Sequence, residues 1–307
     1  MTFAGPCIGF RGYGGPEVLT EFDDEKSASG PGRAVLRSAF SGVNPVDVSF
    51  RTGRMDAFVG DTASGFVPGM ECVGEVVSST APGLPVGAVV NALTLPGVTA
   101  HAGSYAAYVE VDAERAAVVP AGLPAEAAAS IPLNGVTASS ILQALGPGSR
   151  TVVVTGAAGA LGRFLVVASA AAGHRTVALA REGDDALLRG LGAHQLLTDG
   201  TAGGVDEPDV IIDAANLGAA LSERFRSAET VVRVRADTEY PLPHRRLVTA
   251  NVREAAGAAA HIAWWNARII DQPEVIGPIE CFGPGEAGRA QERLSASRRR
   301  GRIVLRW

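Results

Sequence analysis

The stretch "VVVTGAAGALGRF", residues 152–164, ends an apolar run in three glycines, Gly156, Gly159 and Gly162, before apolar residues resume. A strand that breaks into such a turn and restarts as a helix points backbone N–H groups at whatever lies above the helix N-terminus. That geometry suits a dinucleotide pyrophosphate. With the glycines, Ala158, Ala160 and Leu161 make up the candidate cofactor-binding turn, and Asn216 joins them after the apolar run "DVIIDA". The spacing is GxxGxxG rather than GxGxxG, so close packing of helix on strand is an open second reading. Past the next apolar run, "TVALA", stands Arg181. An arginine there accommodates a ribose 2′-phosphate, where an acid would take the 2′-hydroxyl, so NADPH is favoured over NADH. Glu182, Asp184 and Asp185 add local negative charge, and a plain surface arginine is the simpler alternative.

Other chemistries are excluded or disfavoured. Cys7, Cys72 and Cys281 are far apart and lack CxxC spacing, which argues against a disulfide framework and a thiolate zinc site. Lys26 is the only lysine, and none of Tyr13, Tyr105, Tyr108 or Tyr240 precedes a lysine by four residues, as short-chain dehydrogenases require. A net charge of −5 disfavours a nucleic-acid partner, and the basic run Arg298–Arg300 reads as a solvated helix end. The opening "MTFAGPCIGFRGYGG" lacks the pattern of a signal segment, and no apolar run is long enough to span a bilayer. A cytoplasmic protein with a small-molecule substrate and no membrane partner is expected.

The elements that must position these residues follow from length and patterning. A chain of 307 residues, 47% hydrophobic and 19% charged, is large enough for two globular domains. Residues 1–120 read as short strands cut by Gly and Pro, such as "AVLRSAFSGV", "VGEVVSS", "GAVVNAL", "SYAAYVEVD" and "AAVVPAG". "LPAEAAASIPLNGVTASSILQALG" then turns helix-compatible. From 151 the pattern alternates: strand 151–155, helix 160–172, strand 176–180, helix 184–191, "HQLLTD", strand 209–214, helix 217–227 and strand 229–235. Such alternation marks a parallel sheet covered on both faces. "IECF", a helical "GEAGRAQERLSAS" and "RIVLRW" close the chain. The expectation is an α/β protein with a β-rich domain over 1–120, a doubly wound parallel-sheet domain over 121–265, and a return to the first domain over 266–307.

"GYGGPEVL" (12–19), "SGVNPVDVSFRTG" (41–53), "VPGMECVGEVV" (67–77), "GSYAAYVEV" (103–111), "VTGAAGALGRF" and "GRIVLRW" occur in that order. On these motifs the chain resembles the medium-chain dehydrogenase/reductase superfamily, in its zinc-free quinone oxidoreductase (zeta-crystallin-like) branch. The resemblance implies a GroES-like substrate domain, a Rossmann domain and a cleft between them. Zinc-dependent relatives would carry a Cys near Asn44, GHE where "PGMEC" stands and a four-Cys lobe, all missing here, so no metal is expected.

Carried over onto this chain, the resemblance puts Asn44 beside the nicotinamide amide or ribose and has Thr137 of "NGVTAS" hydrogen-bond the carboxamide. A turn-former ahead of Pro45 and an ordinary helix residue are the respective alternatives. Asp47 matches the acid of the family's "NxxD", expected to be structural at a helix start more than catalytic. Where relatives carry tyrosines, Ser49, Phe50, Met55 and Phe58 supply an apolar wall with one hydroxyl. Water is then the expected proton source, with Tyr105 and His101 the nearest alternatives by family position. "FRSAETVVRVRADTEYPLPHRR" lacks the relatives' Gly-Gly and is shortened, beside the edge strand through which relatives often dimerise, so a homodimer is left open. The activity implied is an NADPH-dependent reduction of a quinone or an α,β-unsaturated carbonyl, including an enoyl intermediate of biosynthesis. A redox-neutral cyclase or isomerase, or a scaffold binding NADPH or a hydrophobic ligand without turnover, is the alternative.

Overall fold

The structure, a computed structural model, describes residues 1–307 except 60–61, 99–100, 199–207, 226–227, 236–237, 242–245 and 295–299. The chain divides into two compact units. The first holds Met1–Leu133, Gly257–Asp271 and Ile276–Trp307, and the second Asn134–Ala256 with Gln272–Val275.

The first unit begins with β1 (Thr2–Gly9) and β2 (Thr20–Ser27), an antiparallel pair in which Thr2 faces Ser27. β3 (Arg33–Val43) leads into α1 (Pro45–Arg51) and α2 (Asp56–Val59). β4 (Glu71–Ser79), β5 (Val89–Leu93), β6 (Tyr108–Asp112) and β7 (Ala116–Val118) follow, then α3 (Ala125–Ala128). α4 (Pro132–Leu145) carries the chain out of this unit, with Pro132 at its start, where a missing N–H costs nothing. The helix-compatible stretch is therefore two helices, because a proline breaks it.

In the second unit β8 (Thr151–Thr155), α5 (Ala160–Ala171), β9 (Arg175–Leu179), α6 (Asp185–Gly190) and β10 (Gln195–Leu197) alternate as the patterning suggests. So do β11 (Val210–Asp213), α7 (Ala219–Arg224) and β12 (Thr230–Arg233). β13 (Arg246–Thr249) is an addition that the sequence did not signal. The strands pair in the order β10-β9-β8-β11-β12-β13, every pairing parallel. Val152, Val153, Val154, Ile211 and Ile212 are fully buried, which is why these strands read as unbroken apolar runs. Edge strand β13 instead sets two apolar residues between Arg246 and Thr249 and is mostly exposed.

The return segment supplies α8 (Ala258–Asp271), β14 (Ile279–Phe282), α9 (Ala287–Leu294) and β15 (Arg302–Arg306). β15 inserts between β14 and β3, giving a seven-stranded sheet in the order β14-β15-β3-β4-β5-β7, with β6 also on β3.

The division between units falls after residues 133 and 256 rather than 120 and 265. Two buried amides explain the shift. Asn91 on β5 donates to the Ala128 carbonyl at 2.9 Å, holding α3 to the first sheet. Asn91 and Asn266 also exchange amide hydrogen bonds of 2.8 and 2.9 Å, which with fully buried Trp265 hold α8 there. Part of the basic run Arg298–Arg300, the last residues of the expected helix 217–227, and parts of the shortened 228–250 segment lie outside the described residues. Among the described residues no helix is long and apolar enough to cross a membrane.

Candidate functional site

In the second unit the glycine turn forms as the sequence suggests. β8 ends at Thr155, Gly156 takes a left-handed φ of +56°, and Gly159 stands at the N-cap of α5. A Cβ at Gly162 would drive into the Gly156 carbonyl oxygen and the Ala157 backbone, so only glycine lets the helix settle on the turn. No side chain caps this helix, which leaves the first-turn N–H groups of Ala160, Leu161 and Gly162 without an intrahelical acceptor. Buried Arg163 clamps the turn from behind, donating to the Ala158 carbonyl and to that of Glu274, each at 2.9 Å.

Beside the turn, fully buried Asp213 organises the loop after β11. It accepts Thr155 Oγ1 at 2.7 Å, the Gly218 N–H at 3.0 Å and Tyr240 Oη at 2.5 Å. Burial pushes the Tyr240 hydroxyl well above the ordinary phenol range, and the carboxylate it serves adds to the shift. Within this loop Asn216 holds a left-handed φ of +56°, and its Oδ1 is buried without a hydrogen-bond partner. An unmet acceptor beside an uncapped helix N-terminus fits a group offering hydroxyls and phosphates together. Arg181, two residues past β9, is exposed. Thr137 lines a different feature, a cavity of about 350 Å³ between α4 and the end of β13, floored by Ile141, Val248 and Val252.

In the first unit α1 starts at Asn44. Its backbone N–H donates to the Asp47 carboxylate at 2.8 Å, and the same carboxylate accepts the Gly69 N–H at 3.0 Å and Tyr105 Oη at 3.2 Å. Burial pushes the Asp47 carboxyl up to about 7 against the pull of these three donors, and lifts the Tyr105 hydroxyl well above its usual range. Both side chains are wholly inaccessible. Asp47 and Tyr105 therefore brace the helix start and the 67–70 loop, and do not reach a substrate.

Asn44 is also enclosed. Its Nδ2 donates to Glu71 Oε1 at 2.9 Å, and its Oδ1 accepts from Arg302 at 3.2 Å. Arg302 in turn sits 2.6 Å from Glu71, whose other oxygen takes the Leu133 N–H at 2.9 Å. Nothing in the sequence flagged Arg302 or Glu71 as partners, nor Arg163 or Asp213; a charged residue inside an apolar strand, as in "RIVLRW" and "DVIID", is the signal that was present.

The expected substrate wall divides. Phe50 is fully buried against Phe66 with ring centroids 5.4 Å apart, so it belongs to an internal aromatic core and not to a pocket. One helical position away Ser49 is partly exposed, as is Met55, and Phe58 is exposed. His101 does not join them. Its Nδ1 lies 2.9 Å from Asp24 on β2, and Lys26 bonds both Asp24 and the His101 carbonyl. Burial opposes ionisation of Asp24, but Lys26 and His101 outweigh it and hold the carboxyl below its ordinary range. This ion cluster ties the 101 loop to β2.

Residues 30–121 match the alcohol dehydrogenase GroES-like domain. A quinone oxidoreductase of Pseudomonas aeruginosa is 30% identical over 159 residues, covering 51% of this chain and 47% of that protein. The match thus spans about half the length of that relative. Among solved structures, a quinone oxidoreductase from Coxiella burnetii shares the fold at a TM-score of 0.80 and 20% identity, over 99% of this chain and 100% of that one. A mycobacterial protein solved in complex with NADPH does so at 0.75 and 23%, over 99% and 100%.

Proposed function

We propose that this chain, a member of the medium-chain dehydrogenase/reductase superfamily in its quinone oxidoreductase branch, is a zinc-independent reductase that uses NADPH to reduce a quinone or an α,β-unsaturated carbonyl compound. The observation that carries this is the β8–α5 turn. Its glycines are required by backbone contact, its helix N-terminus has no side-chain cap, and the adjoining Asn216 has an unmet acceptor. Bound there, NADPH would supply the hydride. The protein's part is to hold the pyrophosphate on the N–H groups of residues 160–162, the 2′-phosphate on Arg181 and the carboxamide near Thr137. The mycobacterial neighbour solved with NADPH supports the choice of nucleotide.

The donors in the first unit do not fit a catalytic zinc. Burial pushes the thiols of Cys7 and Cys72 up to about 12, and Cys7 donates its proton to the Phe22 carbonyl, whereas zinc binds thiolates. At Glu71 the guanidinium of Arg302 already supplies a positive charge. With Asp47 and Tyr105 sealed, the proton that completes reduction comes from water.

The reading is tested by titrating the protein with NADPH and NADH and following nicotinamide fluorescence. Saturable NADPH binding, at least about tenfold tighter than NADH, is expected. Binding of neither nucleotide overturns it.

A further inference from the structure

We infer that Tyr240 is a positioning residue of the nucleotide site, acting through Asp213 to hold the 214–217 loop against the glycine turn. The inference rests on the reductase reading above. Asp213 ends β11 with its carboxylate wholly enclosed, and a buried charge persists only where donors surround it. Its Oδ1 takes the Thr155 hydroxyl at 2.7 Å, and its Oδ2 takes the Gly218 N–H at 3.0 Å and Tyr240 Oη at 2.5 Å. Thr155 Oγ1 accepts the Ala215 N–H in turn, at 2.9 Å. Both ends of the loop are therefore fastened to one carboxylate, Gly218 directly and Ala215 through Thr155. Between them Asn216 is held at a φ of +56°, and its Oδ1 has no partner. Ala215 lies against the turn itself: a Cβ at Gly156 would stand 3.2 Å from that of Ala215.

The donors Thr155 and Gly218 belong to the strand end and the loop that they organise. Tyr240 comes instead from the connection between β12 and β13, of which residues 238–241 are among those described. Its seat on the loop is fixed by more than the hydroxyl. The ring packs on the core built by Val153, Ile211, Val231 and Leu221. Arg233 Nη1 donates to the Thr238 carbonyl at 3.0 Å, and a Cβ at Gly218 would stand 3.0 Å from the Glu239 carbonyl oxygen. A phenol suits this place, because the ring is anchored among apolar side chains while the hydroxyl gives Asp213 a charge-assisted bond. Losing that bond opens the clasp: the carboxylate is left under-satisfied, and Gly218 and Thr155 share a more weakly oriented acceptor. The loop then loosens, and with it the acceptor that Asn216 offers to a ribose hydroxyl.

Tyr240→Phe removes the hydroxyl and keeps the ring, whereas Asn216→Gly removes the acceptor and keeps the left-handed backbone, which glycine adopts freely. The test measures the Kd for NADPH by nicotinamide fluorescence in wild type, both variants and the double variant, with thermal unfolding alongside. Tyr240→Phe should raise Kd about tenfold or more, and Asn216→Gly about threefold or more. The double variant should bind within about twofold of Tyr240→Phe, because the Asn216 acceptor is already out of place once the clasp is open. Effects that multiply, an Asn216→Gly variant that binds as wild type does, or an unchanged Kd in Tyr240→Phe whatever its melting temperature, overturn the inference. If wild type binds neither NADPH nor NADH, the reductase reading fails, and amide hydrogen exchange of the unliganded protein judges the clasp by itself. Exchange at residues 215 and 218 about tenfold or more faster in Tyr240→Phe supports the clasp; unchanged exchange there overturns it.

Discussion

The guanidinium of Arg302 lies 2.6 Å from the Glu71 carboxylate, both side chains sealed from solvent, joining the last strand to β4 across 231 residues of sequence. Together they grip both ends of the Asn44 side-chain amide. Removing one partner strands a buried charge. Arg302→Met should cost about 3–5 kcal/mol in urea unfolding, and Glu71→Met added to it should recover a large part of that loss. Additive losses would show the pair to be independent.

Asp47 makes stability depend on pH in an unusual direction. Its folded carboxyl, raised to about 7, keeps its proton where the unfolded chain, at the ordinary 3.8, has lost it. Its contribution is therefore full below about 4 and declines as pH rises to about 7, by at most on the order of 4 kcal/mol. Urea midpoints of wild type minus Asp47→Asn, measured between pH 4 and pH 8, should fall with rising pH. A flat difference would contradict the assignment.

At the glycine turn, Gly162→Ala forces a methyl group against the Gly156 carbonyl. NADPH should bind at least about tenfold more weakly, and stability should fall by about 1–3 kcal/mol. Unchanged NADPH affinity would mean that the turn does not hold the nucleotide.

Arg181 separates the two nicotinamide cofactors. Arg181→Ala should raise the Kd for NADPH about tenfold or more while NADH changes less than about twofold. Equal effects on both would remove Arg181 from the 2′-phosphate.

The parts legible in the sequence were those set by local pattern. Apolar runs and a glycine turn gave β8, α5, β9 and β11 to within a residue or two at most ends, because strands buried on both faces cannot hide their composition. The β1–β2 pair was harder to see, since "TEFDDEKS" is charged on a half-exposed ladder. Helix register was the limit at the candidate wall: Ser49 and Phe50 are neighbours in sequence, yet α1 turns one partly outward and the other into the core. Partnership over long separations was invisible, so Arg302 looked like one more strand residue, and Tyr105 and His101 stood as the nearest alternatives to water as proton source when each is bound internally, whereas Asp47, expected to be structural at a helix start, does bond that helix start.

NADPH oxidation followed in the presence of a panel of quinones and enones reads the reductase activity itself. At least one acceptor should turn over, with kcat/KM about tenfold or more higher for NADPH than for NADH. Saturable NADPH binding with no oxidation by any acceptor would contradict it.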